Sequence, residues 1–309
     1  MSTNVASAGG TLLRYVGVGD TDGNGAADIL FSNGSDAVLW LSSFSEFAEA
    51  PVPNASIGAE WTAYGTGDFN GDGRTDVLWT NTAGQAEIWE LNGALLIGFG
   101  VPAGQMGAEW KTAGIGDFNG DGDADILWTT ASGNASIWTM NGANLAGAGQ
   151  VNGHMGAEWH VVTTGDFDGD GKADILWQST AGDVAIWGMN GSGISHLYNG
   201  IGQIGSEWHV AGVGDFNFDK TADLVWVNNN NDVAIWEMQG GQIGQIITPA
   251  GHNGSEWHLQ GVGDFFASTS KQDLLWLTRD GAEQIWHVNG SQVTVLQPTA
   301  PSGDIIAGL

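Results

Sequence analysis

The sequence predicts an all-β fold, a ring of six four-stranded antiparallel blades, on three observations. The first is an acidic segment, Gly67-Asp68-Phe69-Asn70-Gly71-Asp72-Gly73, that returns 49 residues later as Gly116–Gly122 and again as Gly165–Gly171. It decays in Gly214-Asp215-Phe216-Asn217-Phe218-Asp219-Lys220 and survives as a vestige in Gly263-Asp264-Phe265. A further copy, Gly19-Asp20-Thr21-Asp22-Gly23-Asn24-Gly25, lies 48 residues before the first. Six copies at a near-constant period mark stacked units of one supersecondary kind. The second observation is that the apolar runs flanking each copy are nearly continuous, as in sheets covered on both faces. The third is that all 16 tryptophans fall in repeat positions.

Unit four shows how one repeat is built. Glu158–Asp166 reads as a strand entering the acidic loop, and Ala173–Gln178 as a second strand leaving it. Thr180–Asp183 is a turn, and Val184–Met189 a third strand. Asn190-Gly191 is a two-residue hairpin signal, because both residues tolerate the positive φ of a type I′ turn. A weaker fourth strand follows near Ile194–Tyr198, and no helical periodicity of useful length occurs anywhere. A four-stranded sheet sandwiched between copies of itself is a propeller blade. Trp61, Trp110, Trp159, Trp208 and Trp257 begin strand one. Trp79, Trp128, Trp177, Trp226 and Trp276 end the strand-two runs, and Trp40, Trp89, Trp138, Trp187, Trp236 and Trp286 lie in strand three. The last two sets read as rings packed between radially splayed sheets.

The repeats leave no room for a second core, so residues 1–309 are expected to form a single domain with strand one innermost. Closure without an exchanged strand is expected, although Asp304-Ile305-Ile306 could pair with the first or last blade. The alternative is a seventh blade assembled from the termini.

Composition narrows the partners. Seven basic against 35 acidic side chains give a formal charge of −28, which repels nucleic acid and anionic membranes and favours bound cations. With no cysteine there is neither disulfide framework nor thiol chemistry. Met1–Val5 shows no leader pattern, and no apolar run approaches the ~20 residues of a spanning helix.

The run Gly-Asp-Phe-Asn-Gly-Asp-Gly-x-x-Asp-Ile-Leu-Trp resembles the FG-GAP/VCBS repeat, the unit of integrin α-subunit propellers and of many bacterial surface proteins. Those integrin propellers have seven blades, whereas six units are counted here. The resemblance implies a secreted or cell-surface protein whose ligands approach the face away from calcium, and integrin-like lectins offer a parallel.

Read residue by residue, each loop offers side chains at positions 1, 3, 5 and 9 and a carbonyl at 7, the alternate oxygens that calcium requires. Unit one supplies Asp20, Asp22, Asn24, the Ala26 carbonyl and Asp28, and unit two Asp68, Asn70, Asp72, the Arg74 carbonyl and Asp76. Unit three supplies Asp117, Asn119, Asp121, the Asp123 carbonyl and Asp125. Unit four supplies Asp166, Asp168, Asp170, the Lys172 carbonyl and Asp174, the one set with four carboxylates. Nothing basic is expected among these acids, and about four Ca2+ ions follow. Unit five keeps Asp215, Asn217, Asp219 and Asp223, but Phe218 and Lys220 replace its glycines, so a weak or empty site is expected there. Unit six retains Asp264 and Asp273 alone and is expected to be metal-free. Magnesium is disfavoured by its stricter octahedron, and loops that are Asx-turns without an ion are the bland alternative.

Strand one spans about 23 Å at ~3.3 Å per residue, so its Trp end lies opposite the acidic loops. There Glu60-Trp61, Glu109-Trp110, Glu158-Trp159, Glu207-Trp208 and Glu256-Trp257 recur. An aromatic platform beside a carboxylate suits a sugar, while a Trp wedge with a capping Glu is the structural alternative. Unit one, with Leu13 in the Trp position, lacks the pair. His154, His160, His209, His252 and His258 lie nearby without metal-ligand spacing. The unit-specific His196, Tyr198, Arg279 and Asp280 form no acid–base pair. A non-catalytic, glycan-binding module is therefore the first reading, a protein-adhesion or scaffold module of a larger surface protein the second, and a polysaccharide-active enzyme the third.

Overall fold

A computed structural model describes residues 4–6, 12–32, 36–43, 46–52, 57–251, 253–265, 272–278 and 282–297. His252, Arg279, Asp280 and Asp304–Ile306 lie outside them, as does most of the unit-six loop. Among the described residues every regular element is a strand, and no helix is long and apolar enough to cross a membrane.

The strands form six sheets, one per repeat, each paired antiparallel in chain order. Unit four comprises Trp159–Gly165, Asp174–Ser179, Asp183–Asn190 and Gly193–Gln203. The fourth strand runs eleven residues, longer than its weak sequence pattern suggests. Strand one of each unit packs against its counterparts in the two neighbouring units, and the first closes on the sixth. These six strands surround a central cavity of about 420 Å³, to which Tyr15, Tyr64, Val162 and Gln260 contribute. The arrangement is the expected six-bladed propeller.

The core lies between blades. Strand-two residues such as Asp174, Ile175, Leu176 and Trp177 are buried throughout, which accounts for their unbroken apolar pattern. Each strand-two Trp meets the strand-three Trp of its own blade at a tilt, with centroids 4.9 Å apart for Trp177 and Trp187. In blade one, Phe31 replaces the first ring and sits 4.6 Å from Trp40. Connector glycines allow close cover of these rings: a β-carbon on Gly153 would lie 2.7 Å from Trp187.

Three local features differ from the sequence reading. Blade one has five strands rather than four, because Asn4–Ala6 pairs with Leu12–Gly19 on the inner edge. The Asn-Gly hairpin is not type I′. Asn190 pairs with Gly193, so the loop is Gly191-Ser192. Among the described non-glycine residues positive φ occurs only at Phe218, Lys220 and Asn231, leaving Gly191 alone at φ 59° in this loop. Positive φ at the first loop residue alone is the type II′ pattern. Blade five, with Gly240 at 57° and Gly241 at 74°, has the I′ pattern instead. Finally, every inner strand carries a one-residue register shift, between Val161 and Thr163 in blade four and between Ala63 and Gly65 in blade two. The bulged residues, Tyr64 and Val162 among them, line the central cavity, and such bulges add local bend and twist.

Candidate functional site

Inner strand Trp159–Gly165 ends by delivering Asp166 to the acidic loop, and Asp174 opens the next strand. Asp166 Oδ1 accepts the N–H groups of Gly169 at 2.7 Å and Asp170 at 3.1 Å, and its Oδ2 accepts that of Gly171 at 2.8 Å. Asp168 Oδ1 accepts from Asp170 N at 3.1 Å, and Asp170 Oδ1 from Lys172 N at 2.9 Å. Successive Asx-turns thus wrap the backbone around the carboxylates. Asp174, fully buried, ties the loop to the blade: Oδ2 accepts Phe167 N at 3.0 Å, and Oδ1 accepts Met189 N of strand three at 2.9 Å.

Carboxylate oxygens of Asp166, Asp168 and Asp174 lie within 4.8 Å of one another, as do those of Asp20, Asp22 and Asp28. These two groups could hold a metal ion. Each carboxylate oxygen has two lone pairs, so accepting an N–H leaves capacity for a cation. The buried acid also needs one. Burial pushes Asp174 up to about 8 and Asp76, Asp125 and Asp223 up to about 7, and it raises Asp28 and Asp166 as well. A hard divalent ion would restore the ionised form, and the all-oxygen donor set fits it.

The acids are not free of basic neighbours, contrary to the sequence reading. Lys172 Nζ lies 3.3 Å from Asp170 Oδ2, and Arg74 Nη1 lies 3.3 Å from Asp72 Oδ2. The residue chosen for its carbonyl turns its side chain back onto the position-5 carboxylate. Asp170 accordingly stands outside the three-acid group of unit four. In units two and three Asn70 and Asn119 take position 3, and Asn119 Nδ2 donates to Asp121 Oδ2 at 2.8 Å. Burial, followed by neighbouring acids, raises Asp123.

Unit five keeps the loop conformation despite losing its glycines. Asp215 still accepts from Phe218 N at 2.6 Å, Asp219 N at 3.2 Å and Lys220 N at 2.9 Å. Phe218 and Lys220 stand at φ 64° and 72°, where Gly169 and Gly171 have 82° and 83°.

The loops also clasp neighbouring blades. The carbonyls of Asp20, Asp68, Asp117, Asp166 and Asp264 accept N–H groups from Thr75, Ala124, Ala173, Ala222 and Ala27 at 2.6–2.8 Å. One contact escaped sequence reasoning. Tyr198 donates its hydroxyl to Asp168 Oδ2 at 3.1 Å. It is cradled by Gly188 and Gly241, where β-carbons would meet its ring at 3.3 and 2.6 Å. Those two glycines were the available signal.

At the opposite end each Glu-Trp pair closes a turn, with Trp159 N donating to Gly156 O at 3.2 Å and the other four equivalent. All five glutamates are exposed and all five tryptophans half-buried. Each Trp packs on an inter-blade cluster, Trp61 on the one that joins blades one and two. The Trp therefore wedges blades while leaving part of its ring accessible. The connectors and the strand-two-to-three turns share this end, since Met106 N donates to Gly84 O at 3.0 Å and Ile204 N to Gly182 O at 3.1 Å.

An FG-GAP-like repeat family model matches residues 20–79 and 117–177, and an FG-GAP repeat model matches 159–198. With the six-bladed ring, this decides the family. The chain is an FG-GAP repeat β-propeller. Among curated proteins, none matches it. The matched segments contain the acidic loops of units one to four.

Proposed function

We propose that this FG-GAP propeller is a calcium-stabilised, extracellular, non-catalytic module that binds carbohydrate on the face carrying the Glu-Trp pairs. The observation that carries the reading is the fivefold recurrence of an exposed carboxylate beside a half-exposed indole, opposite the acidic loops. An indole face stacks on the apolar face of a sugar, and the neighbouring carboxylate accepts hydroxyl hydrogen bonds. Repeated pockets on a rigid ring give avidity without high affinity at any one. Calcium, taken by the loops of units one to four, has a stabilising role, since the loops clasp adjacent blades. Among the described residues the catalytic alternative finds no convergent, asymmetric constellation of tuned groups.

The test is a glycan array followed by Trp159→Ala. Loss of one site's glycan retention with a folded ring supports the reading. Unaltered retention beside a large loss of stability would assign the ring to structure alone. A second reading, protein adhesion, is favoured by the outer strand of blade two, Leu95–Gly100, and the residue after it, where Leu95, Ile97, Phe99 and Val101 are 59%, 54%, 71% and 52% exposed. Clustered apolar exposure of this kind suits a protein contact, and a pull-down with Phe99→Glu as control distinguishes it.

A further inference from the structure

We propose that the imidazolium of His287 stands in for a metal ion in blade six and forms a proton-dependent latch on the seam where the ring closes. In the other blades the buried aspartate that opens strand two spends both oxygens on backbone N–H groups. Asp76 binds Phe69 N and Leu91 N, at 3.0 and 2.8 Å, and Asp223 binds Phe216 N and Met238 N, both at 2.8 Å. Asp273 keeps the first contact, to Phe265 N at 3.3 Å, but its Oδ1 lies 2.7 Å from His287 Nδ1. The residue after the strand-three Trp is Leu41, Glu90, Thr139, Gly188 or Glu237 in the other blades. A group able to carry positive charge stands there only in blade six, the one blade whose loop has lost the acids to surround an ion.

The burial explains the need. The Asp273 side chain is 1% exposed and that of His287 23%. A buried carboxylate without counter-charge is costly, and an imidazolium within hydrogen-bond reach removes the cost while staying close enough to water to exchange its proton. A neutral ring keeps the hydrogen bond and loses the charge.

The position gives the pair its consequence. Phe265, held by Asp273, follows Asp264, whose carbonyl accepts Ala27 N of blade one at 2.6 Å. Phe265 also meets Phe47 of blade one edge-on at 6.4 Å. Ala27, Phe31, Leu275 and Leu277 share the cluster across this seam. Among the described residues no strand crosses it, so these contacts hold the ring shut. Among the described residues, the other ionisable groups facing the pair are few. Asp264 adds negative charge from the loop start. On blade one, Asp28 is turned to Thr21 and Ser42 of its own blade, and burial pushes the Tyr15 hydroxyl above the range in which it would titrate.

The test is amide hydrogen exchange of the whole chain in saturating calcium at about pH 5.5 and about pH 8, either side of the ordinary histidine range, with rates corrected for intrinsic chemistry. Protection of seam segments around Ala27 and Phe265 is expected to fall roughly tenfold or more at the higher pH, the scale of a charged hydrogen bond. Segments of blades three and four are expected to hold. His287→Gln keeps a donor without a titrating charge and is expected to give low seam protection at both pH values. His287→Lys, charged at both, is expected to remove the pH dependence; should the Gln variant fail to fold, it carries the test alone. Seam protection equal at the two pH values in the native chain would overturn the latch, as would a pH dependence retained in either variant.

Discussion

Loops four and five have the same backbone and different chemistry. Both wrap the first aspartate with three N–H donors. Loop four does so with Gly169 and Gly171 at positive φ, loop five with Phe218 and Lys220. A β-carbon in the left-handed region costs roughly 1–2 kcal/mol per residue, yet the conformation survives, because the Asx-turns and Asp223 still organise it. The glycines ease the loop without defining it. What separates the two is the acid set: Asp166, Asp168 and Asp174 converge within 4.8 Å, while in loop five Asn217 Nδ2 donates to Asp219 Oδ2 at 3.1 Å. Loop three has the acids of loop five and the same Asn-to-Asp contact, at 2.8 Å. In expected affinity for an ion the acid set therefore ranks loop four first, while the strained Phe218 and the cationic Lys220 set loop five below loop three.

The largest effect expected is that of chelation. An ion held a hundredfold below its free concentration adds about 2.7 kcal/mol per site. Removing calcium is expected to lower the melting temperature markedly, and equal melting with and without chelator would reduce the loops to turns. Next, Trp177→Ala, a truncation of a ring 1% exposed, is expected to cost ~3–5 kcal/mol by urea titration. Trp159→Ala, half-buried, is expected to cost less, and the reverse order would make the strand-one Trp the main wedge.

The buried aspartates sharpen the comparison through pH. With their folded-state values raised to about 7 or 8, the metal-free protein holds protons that the unfolded chain releases near the ordinary carboxylate pKa of ~4. Its stability is thus full below that value and is lost as pH rises through about 7–8. Calcium demands the ionised form, so the calcium-loaded protein is expected to lose this slope between about pH 4 and 8 and to weaken only as pH falls below the ordinary carboxylate pKa of ~4. Asp174→Asn is expected to destabilise in both conditions, because its amide nitrogen cannot accept one of the two buried N–H groups that the carboxylate holds. It is expected to cost more in calcium than in chelator near pH 8, as thermal melts in both conditions would show. The smallest effect expected is for Phe218→Gly, a gain of about 1 kcal/mol from relieved φ strain; a loss would mean that Phe218, 48% exposed, has packing of its own.

Much of this was legible in the sequence because the repeat samples it six times. The Trp pairs, the loop acids and the Glu-Trp ends recur at fixed spacing, and each has a physical reason to be where it is. The inner-strand bulge was not legible, since its trace is a glycine such as Gly65 or Gly114 in a chain with 51. The hairpin was misjudged because Asn190 pairs across the ladder rather than entering the turn. The turns of Lys172 and Arg74 onto their own loops, and the contacts of Tyr198 and His287, depend on side-chain direction that spacing does not encode.

Calcium titrated by calorimetry into chelated protein, native and Asp168→Asn, tests the central claim most directly. About four ions are expected in the native chain, with one lost in the variant because Asp168 belongs to the converging acids of unit four. No calcium uptake, or a count untouched by Asp168→Asn, would contradict the account.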